Sequence, residues 1–169
     1  LVGLGRLAAE KRWSLVIEAV MAAGYAAEVG LLLIGEGNDE PRLARLVGEN
    51  PHVRLTGAIR DRALLARILA SADALIHGCE AETFCIAAAE AKASGLPLIV
   101  PDLGGAADQA TGPADRLYRA GSARHAARAI LSFRRTPRQR AESPARAMDE
   151  HFADLFALYE RIADRRKAA

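Results

Sequence analysis

Short apolar runs separated by longer amphipathic segments set the tightest limit on how this chain can fold. Residues 1–4 predict a strand, with a helix following from about residue 12 to 23. Residues 29–34 form a continuous apolar run, the pattern of a strand buried on both faces rather than one. Gly35, Gly37 and Asn38 break that run, and a helix is expected over about 40–47. The alternation then repeats. A strand at 53–56 precedes a helix at 61–70, and a strand at 73–77 precedes a helix at 84–94 closed by Gly95. A further strand at 96–100 ends at Pro101, and residues 116–118 are a weaker strand candidate. Two or three helices finish the chain, the last over about 150–166. Regular strand–helix alternation predicts a parallel sheet with helices on both faces.

Ligands of such sheets bind beyond the carboxyl ends of the strands, near the point where strand order reverses. The informative loops are therefore 5–11, 35–39, 57–61, 78–84 and 102–106, where glycines let a ligand approach the backbone. The chain has 169 residues and is read as one domain over 1–169. Its net charge of +2 implies no broad field, so nucleic acid is not an expected partner. The two cysteines, Cys79 and Cys85, make neither a disulfide scaffold nor, by spacing, a metal cluster with the four histidines. A reducing cytoplasm fits, and no apolar run nears the roughly 20 residues of a membrane span. The sequence begins at Leu1, inside an apolar run and without Met, which reads as a domain whose N-terminal partner lies outside it.

Two segments carry candidate chemistry. The first strand runs into Gly5-Arg6-Leu7-Ala8-Ala9-Glu10-Lys11, which sets two cations near a helix start. Cations together with free helix-end amides suit a diphosphate. Alone, the same pattern is also that of a plain turn with solvated charges. The second segment runs from Glu82-Thr83-Phe84-Cys85-Ile86 to Glu90-Ala91 and closes with Gly95-Leu96-Pro97. Eight residues of helical rise separate Glu82 from Glu90 by about 12 Å. That exceeds the roughly 5–10 Å of a glycosidase carboxylate pair, and suits two ends of one extended ligand. The amides of Phe84, Cys85 and Ile86 fall at the helix N-terminus, ready for an anion. The plainer reading makes Glu82 a helix cap and Glu90 a surface carboxylate. Cys85, a thiol at a helix start, stands where a thiol pKa can be lowered, and His77 either faces the cleft or belongs to the core.

The ordered set is more specific than its parts. Gly-Arg-Leu-x-x-Glu-Lys at 5–11, Gly35-Glu36-Gly37, Val53-Arg54-Leu55-Thr56-Gly57, the two glutamates Glu82 and Glu90, Gly95-x-Pro97 and Gly104-Gly105 follow one another in this order. The series resembles glycosyltransferase family 4, the retaining enzymes of GT-B architecture, over nearly the whole chain from Leu1 to about Tyr159. The segment from Phe152 to Tyr159 is similar to that family's C-terminal helix. The resemblance implies a Rossmann-like three-layer αβα domain with a parallel sheet of about six strands, the C-terminal half of a GT-B fold. It implies transfer of a hexose from a UDP-, GDP- or ADP-linked donor to a glycan or lipid acceptor, without a metal or other cofactor.

By the same resemblance Arg6 and Lys11 bind the donor diphosphate, and Glu82 holds donor-sugar hydroxyls beside the Phe84, Cys85 and Ile86 amides. Glu90 takes the ribose hydroxyls. Gly57, Ala58 and Ile59 line the base pocket, while Gly5, Gly35 and the Gly104-Gly105 pair shape the cleft. The acceptor site lies in the N-terminal GT-B domain, so the chain alone is expected to bind donor weakly and transfer nothing. Two positions depart from the pattern: Cys85 stands where glycine is usual, and Asp108 where glutamate commonly follows the glycine pair. Arg134, Arg135, Arg138 and Arg140, with Arg165, Arg166 and Lys167, form basic stretches that suit peripheral contact with the inner face of a membrane, or simply a solvated face. The competing readings are a non-catalytic nucleotide-binding or interaction module and a response-regulator-like signalling domain. The latter calls for an acidic cluster where Gly5-Arg6 stands.

Overall fold

The computed structural model describes residues 1–134 and 148–167. Six strands form one all-parallel sheet: β1 (Val2–Leu4), β2 (Leu31–Ile34), β3 (Val53–Leu55), β4 (Leu75–Ile76), β5 (Leu98–Pro101) and β6 (Arg116–Tyr118). Their order is β3-β2-β1-β4-β5-β6, the doubly wound Rossmann arrangement. Val2 pairs with Leu32 on one side and with Leu75 on the other, so strand order reverses between β1 and β4.

Helices α1 (Trp13–Ala27), α2 (Glu40–Val47), α3 (Arg62–Ser71), α4 (Ile86–Ala93), α5 (Gly105–Gln109) and α6 (Ala123–Arg134) alternate with the strands, and α7 (Met148–Lys167) follows. Strand side chains alternate between two cores. Leu33, Ile76 and Ile99 join residues of α1 and α6 in one core. Val2, Ile34, Leu75, Leu98 and Val100 join residues of α3 and α4 in the other. This two-sided burial is why the strands read as unbroken apolar runs. The basic residues Arg135, Arg138 and Arg140 lie outside the described residues. Along α7, Phe152, Phe156, Leu158 and Tyr159 are exposed.

Local chemistry sets the boundaries. The Asp61 carboxylate accepts from the amides of Ala63 and Leu64 at 2.9 and 3.1 Å and starts α3. Pro41 stands in the first turn of α2, where its missing N–H costs nothing. Two expectations need correction. The fourth helix begins at Ile86, not residue 84, because Cys85 takes a left-handed backbone with φ of 64°. Only the four steps from Ile86 to Glu90 are therefore helical, about 6 Å of rise, and the roughly 12 Å expected between Glu82 and Glu90 does not apply. The strand at 73–77 is confined to Leu75–Ile76, and α5 was not anticipated at all.

Close backbone approach explains Gly35. Its N–H donates to the Gly57 carbonyl at 3.0 Å, and a Cβ built on it would lie 1.9 Å from the Gly5 carbonyl oxygen. Backbone atoms cannot yield as a flexible side chain can. Gly35→Ala is expected to destabilise the fold by roughly 1–3 kcal/mol, read from urea melts. An unchanged midpoint would show that the strand ends are not packed as described.

Candidate functional site

A cavity of about 370 Å³ opens at the switch point, beyond the carboxyl ends of β1 and β4. Leu4, Gly5, Arg6 and Lys11 line it from the β1 side, and His77, Glu82, Thr83, Phe84, Cys85, Ile86 and Ala87 from the β4 side. The topology thus brings together two segments about seventy residues apart in sequence, and does so where open α/β sheets bind ligands.

Trp13 anchors the first segment. It is fully buried, and its indole N–H donates to the Arg6 carbonyl at 2.9 Å. A Cβ on Gly3 would lie 3.0 Å from its ring, so glycine makes room for the indole. A short 3-10 turn over Ala9–Lys11 then carries Lys11 to the cavity. There its ammonium donates to a Glu82 carboxylate oxygen, and both side chains are less than one-fifth exposed. Arg6 behaves differently. Its side chain is 68% exposed and pairs at 2.5 Å with Glu10, four residues along the chain. A second ion pair, Arg12 to Glu80, ties the same two segments together.

The second segment is held from behind. The Gly105 N–H donates to the Glu82 carbonyl at 2.7 Å. A Cβ on Gly104 would meet the Glu80 carbonyl oxygen at 2.3 Å, and one on Gly105 the Thr83 oxygen at 2.4 Å. The glycine pair therefore acts as packing that sets the Glu82 loop, not as a wall facing the cavity. Glu82 is not the helix cap: Cys85 occupies that position, without a side-chain cap bond.

His77 is the residue that sequence reasoning left open. It is both core and cleft: 1% exposed, yet lining the cavity. Its Nε2 lies 3.1 Å from the same Glu82 oxygen that Lys11 engages, and its ring meets Trp13 edge-on with centroids 5.5 Å apart. An ionised carboxylate only accepts, so Nε2 carries the proton. Its carbonyl accepts from the buried Tyr118 hydroxyl at 2.5 Å. Burial is the largest influence on the imidazole and holds its pKa below the ordinary 6.5, with Lys11 adding to this against the opposing pull of Glu82. Burial also disfavours ionised Glu82, but Lys11 and His77 together outweigh it, and the carboxyl sits below its ordinary 4.5.

A pH dependence follows. Between pH 6.5 and the depressed folded value, the unfolded chain binds a proton at His77 that the folded chain refuses. The contribution of His77 to stability is therefore level above about pH 6.5 and falls as pH drops through that window. Glu82 adds a further loss in acid, below 4.5. Urea melts across pH 5–8 read the first slope, which His77→Gln should flatten. A variant with the wild-type slope would remove His77 as its source.

Cys85 is not an activated thiol. Burial pushes its thiol up to about 11, so the helix start does not activate it. The fold also assembles what spacing did not show. His77, Glu82 and Cys85 offer ligand atoms within 4.8 Å of one another. The Lys11 ammonium occupies the Glu82 oxygen in that group.

The remaining candidates are dispersed. Glu90 lies on α4 beside a smaller cavity of about 150 Å³ and pairs at 3.2 Å with Arg62. Gly35 and Gly57 meet through their backbones at the adjacent strand ends, and Ile59 packs against the second core. None of these three lines the larger cavity. Among the described residues no helix is long and apolar enough to cross a membrane.

Comparison with known proteins gives the family and the fold. The model of the family described as glycosyl transferases group 1 matches residues 1–135. Over 108 residues, 64% of this chain, the sequence is 41% identical to a GDP-mannose-dependent alpha-mannosyltransferase of Mycobacterium tuberculosis. It is 40% identical over 101 residues, 59% of the chain, to that organism's GDP-mannose-dependent alpha-(1-6)-phosphatidylinositol dimannoside mannosyltransferase. The chain spans about a quarter of the length of both relatives, 26% in each case. Among solved structures, the Anabaena protein HepE in complex with UDP and glucose superimposes with a TM-score of 0.71 at 20% identity, covering 99% of this chain and 48% of that one.

Proposed function

The chain belongs to the glycosyl transferases group 1 family, and from that premise we propose that it is the donor-binding half of a retaining, metal-independent mannosyltransferase that uses GDP-mannose. The observation that carries the proposal is the meeting of Lys11 and Glu82 in a cavity at the switch point. Lys11 and the free amides at the start of α4 face the leaving diphosphate, whose negative charge grows as the glycosidic bond breaks. Glu82, kept ionised by Lys11 and His77, accepts hydrogen bonds from donor-sugar hydroxyls. The Lys11 ammonium on Glu82 supplies positive charge at the site, which supports transfer without a metal. Glu90 takes the ribose hydroxyls once these displace Arg62.

The mannosyltransferase relatives support guanine and mannose as the donor's base and sugar. GDP-mannose is itself α-linked, so the alpha products in those relatives' names support retention. The second relative supports a mannosylated lipid as acceptor, with the acceptor site on an N-terminal GT-B domain. The test supplies the full-length protein with GDP-mannose, UDP-glucose or ADP-glucose, a mannosylated lipid acceptor, and EDTA. Release of GDP with an α-linked product, unchanged by EDTA, is the expected result. Turnover of UDP-glucose alone, or activity abolished by EDTA and restored by a divalent cation, would contradict it.

A further inference from the structure

The Cys85 backbone adopts φ of 64° and ψ of 76°, a region that favours glycine, and the turn has no side-chain cap bond. The Cys85 carbonyl accepts from the Ala88 and Ala89 amides of α4 at 3.0 and 3.3 Å, and Gln109, at the end of α5, adds further bonds at the turn. The Gln109 side-chain nitrogen donates to the carbonyls of Phe84 and, at 3.2 Å, Cys85, with a longer contact of 3.4 Å to Gly105. An amide nitrogen carries two hydrogens, which match the first two carbonyls. With the Gly105 N–H on the Glu82 carbonyl, α5 takes three carbonyls of residues 82–85.

Peptide geometry gives this clamp a consequence. Across a trans peptide the carbonyl and the following N–H point in opposite directions. The Phe84 carbonyl, held by Gln109, turns the Cys85 N–H away from α5, and the Cys85 carbonyl, shared between Gln109 and the first turn of α4, sets the direction of the Ile86 N–H in the same way. Both residues line the cavity, and among the described residues neither N–H donates to a backbone carbonyl.

We propose that Gln109 is a positioning residue that holds the Cys85 and Ile86 amides as a two-pronged receptor for the diphosphate of a nucleotide sugar. The proposal rests on reading the cavity as the donor site. It also accounts for a non-glycine residue at the turn: the clamp supplies the conformation that glycine would otherwise adopt freely.

The test uses the full-length protein, with GDP and guanosine as probes and the 15N amide resonances of Cys85 and Ile86 as reporters. Gln109→Leu keeps the bulk and removes the donor. It should weaken GDP roughly 10-fold or more, the scale of one hydrogen bond to a charged group, leave guanosine unchanged, and suppress the GDP-induced shifts of the two amides. Gln109→Glu gives a second readout. Its carboxylate faces two carbonyls at pH 7.5, so GDP should bind weakly there. Affinity should recover toward pH 5, as the carboxyl gains a proton and becomes a donor, whereas the leucine variant should show no such recovery. GDP affinity at the wild-type level in both variants, or equal losses for GDP and guanosine, would overturn the proposal. Wild-type protein that binds none of GDP, UDP and ADP would overturn the donor-site reading itself, a distinguishable failure.

Discussion

Lys11→Ala is expected to lower kcat/KM for the donor by about 10²- to 10³-fold, the scale measured when one preorganised donor to a developing oxyanion is removed. The ammonium serves the site in two ways. It is the cation in the cavity that is held in place, being less than one-fifth exposed and fixed on Glu82. It is also the main group that keeps Glu82 ionised against burial, so its loss raises that carboxyl toward protonation. Arg6→Ala should cost far less, because Arg6 is 68% exposed and already pairs with Glu10. Lys11→Arg should restore little: a planar fork does not replace a compact ammonium wedged between Glu82 and the cavity. Steady-state kinetics on the three variants checks the order. Equal effects at Arg6 and Lys11 would mean that the diphosphate is held by surface charge and not by this cavity.

The largest expected loss of stability lies away from the cleft. Asp115→Ala should destabilise the fold by roughly 3–5 kcal/mol, because it strands a buried lysine without its countercharge. Lys92, 8% exposed on α4, reaches Asp115 Oδ2 at 3.0 Å. The same oxygen accepts from the Gly112 N–H at 2.7 Å, and Oδ1 accepts from the Leu98 N–H at 2.8 Å. The carboxylate therefore ties α4, the start of β5 and the turn before β6 into one knot. Lys92→Met in the Asp115→Ala background should recover part of the loss, since no buried charge then remains. Urea denaturation of the single and double variants measures this. A double variant worse than Asp115→Ala alone would show that the two side chains act independently.

Much of the fold was legible because its signals are periodic and local. Two-faced burial makes each strand an apolar run, so residues 29–34 announced β2, and α2 fell over Glu40–Val47 as expected. What failed depends on contacts remote in sequence. The five residues of α5 are hidden behind a glycine pair that reads as a loop, and only packing against Glu80 and Thr83 explains why glycine stands there. The helix-start position of Cys85 is visible in sequence, but the burial that raises its thiol is not. His77 could not be assigned to core or cleft from sequence, because it is both, buried beneath Trp13 yet touching Glu82. Gln109 carried no signal at all, since its partners are backbone carbonyls and not side chains. The ordered motifs pointed to Gly5, Arg6, Lys11, Glu82, Phe84, Cys85 and Ile86, which line one cavity; the pairing of Lys11 with Glu82, and of Glu90 with Arg62, required the fold.

The central claim is that the switch-point cavity is a nucleoside-diphosphate site. Titration calorimetry with GDP, UDP and ADP, on the full-length protein and its Arg6→Ala/Lys11→Ala variant, tests it most directly. The account predicts that GDP binds and that the double variant abolishes that binding. GDP binding that survives both substitutions would contradict it, placing the nucleotide elsewhere on the molecule.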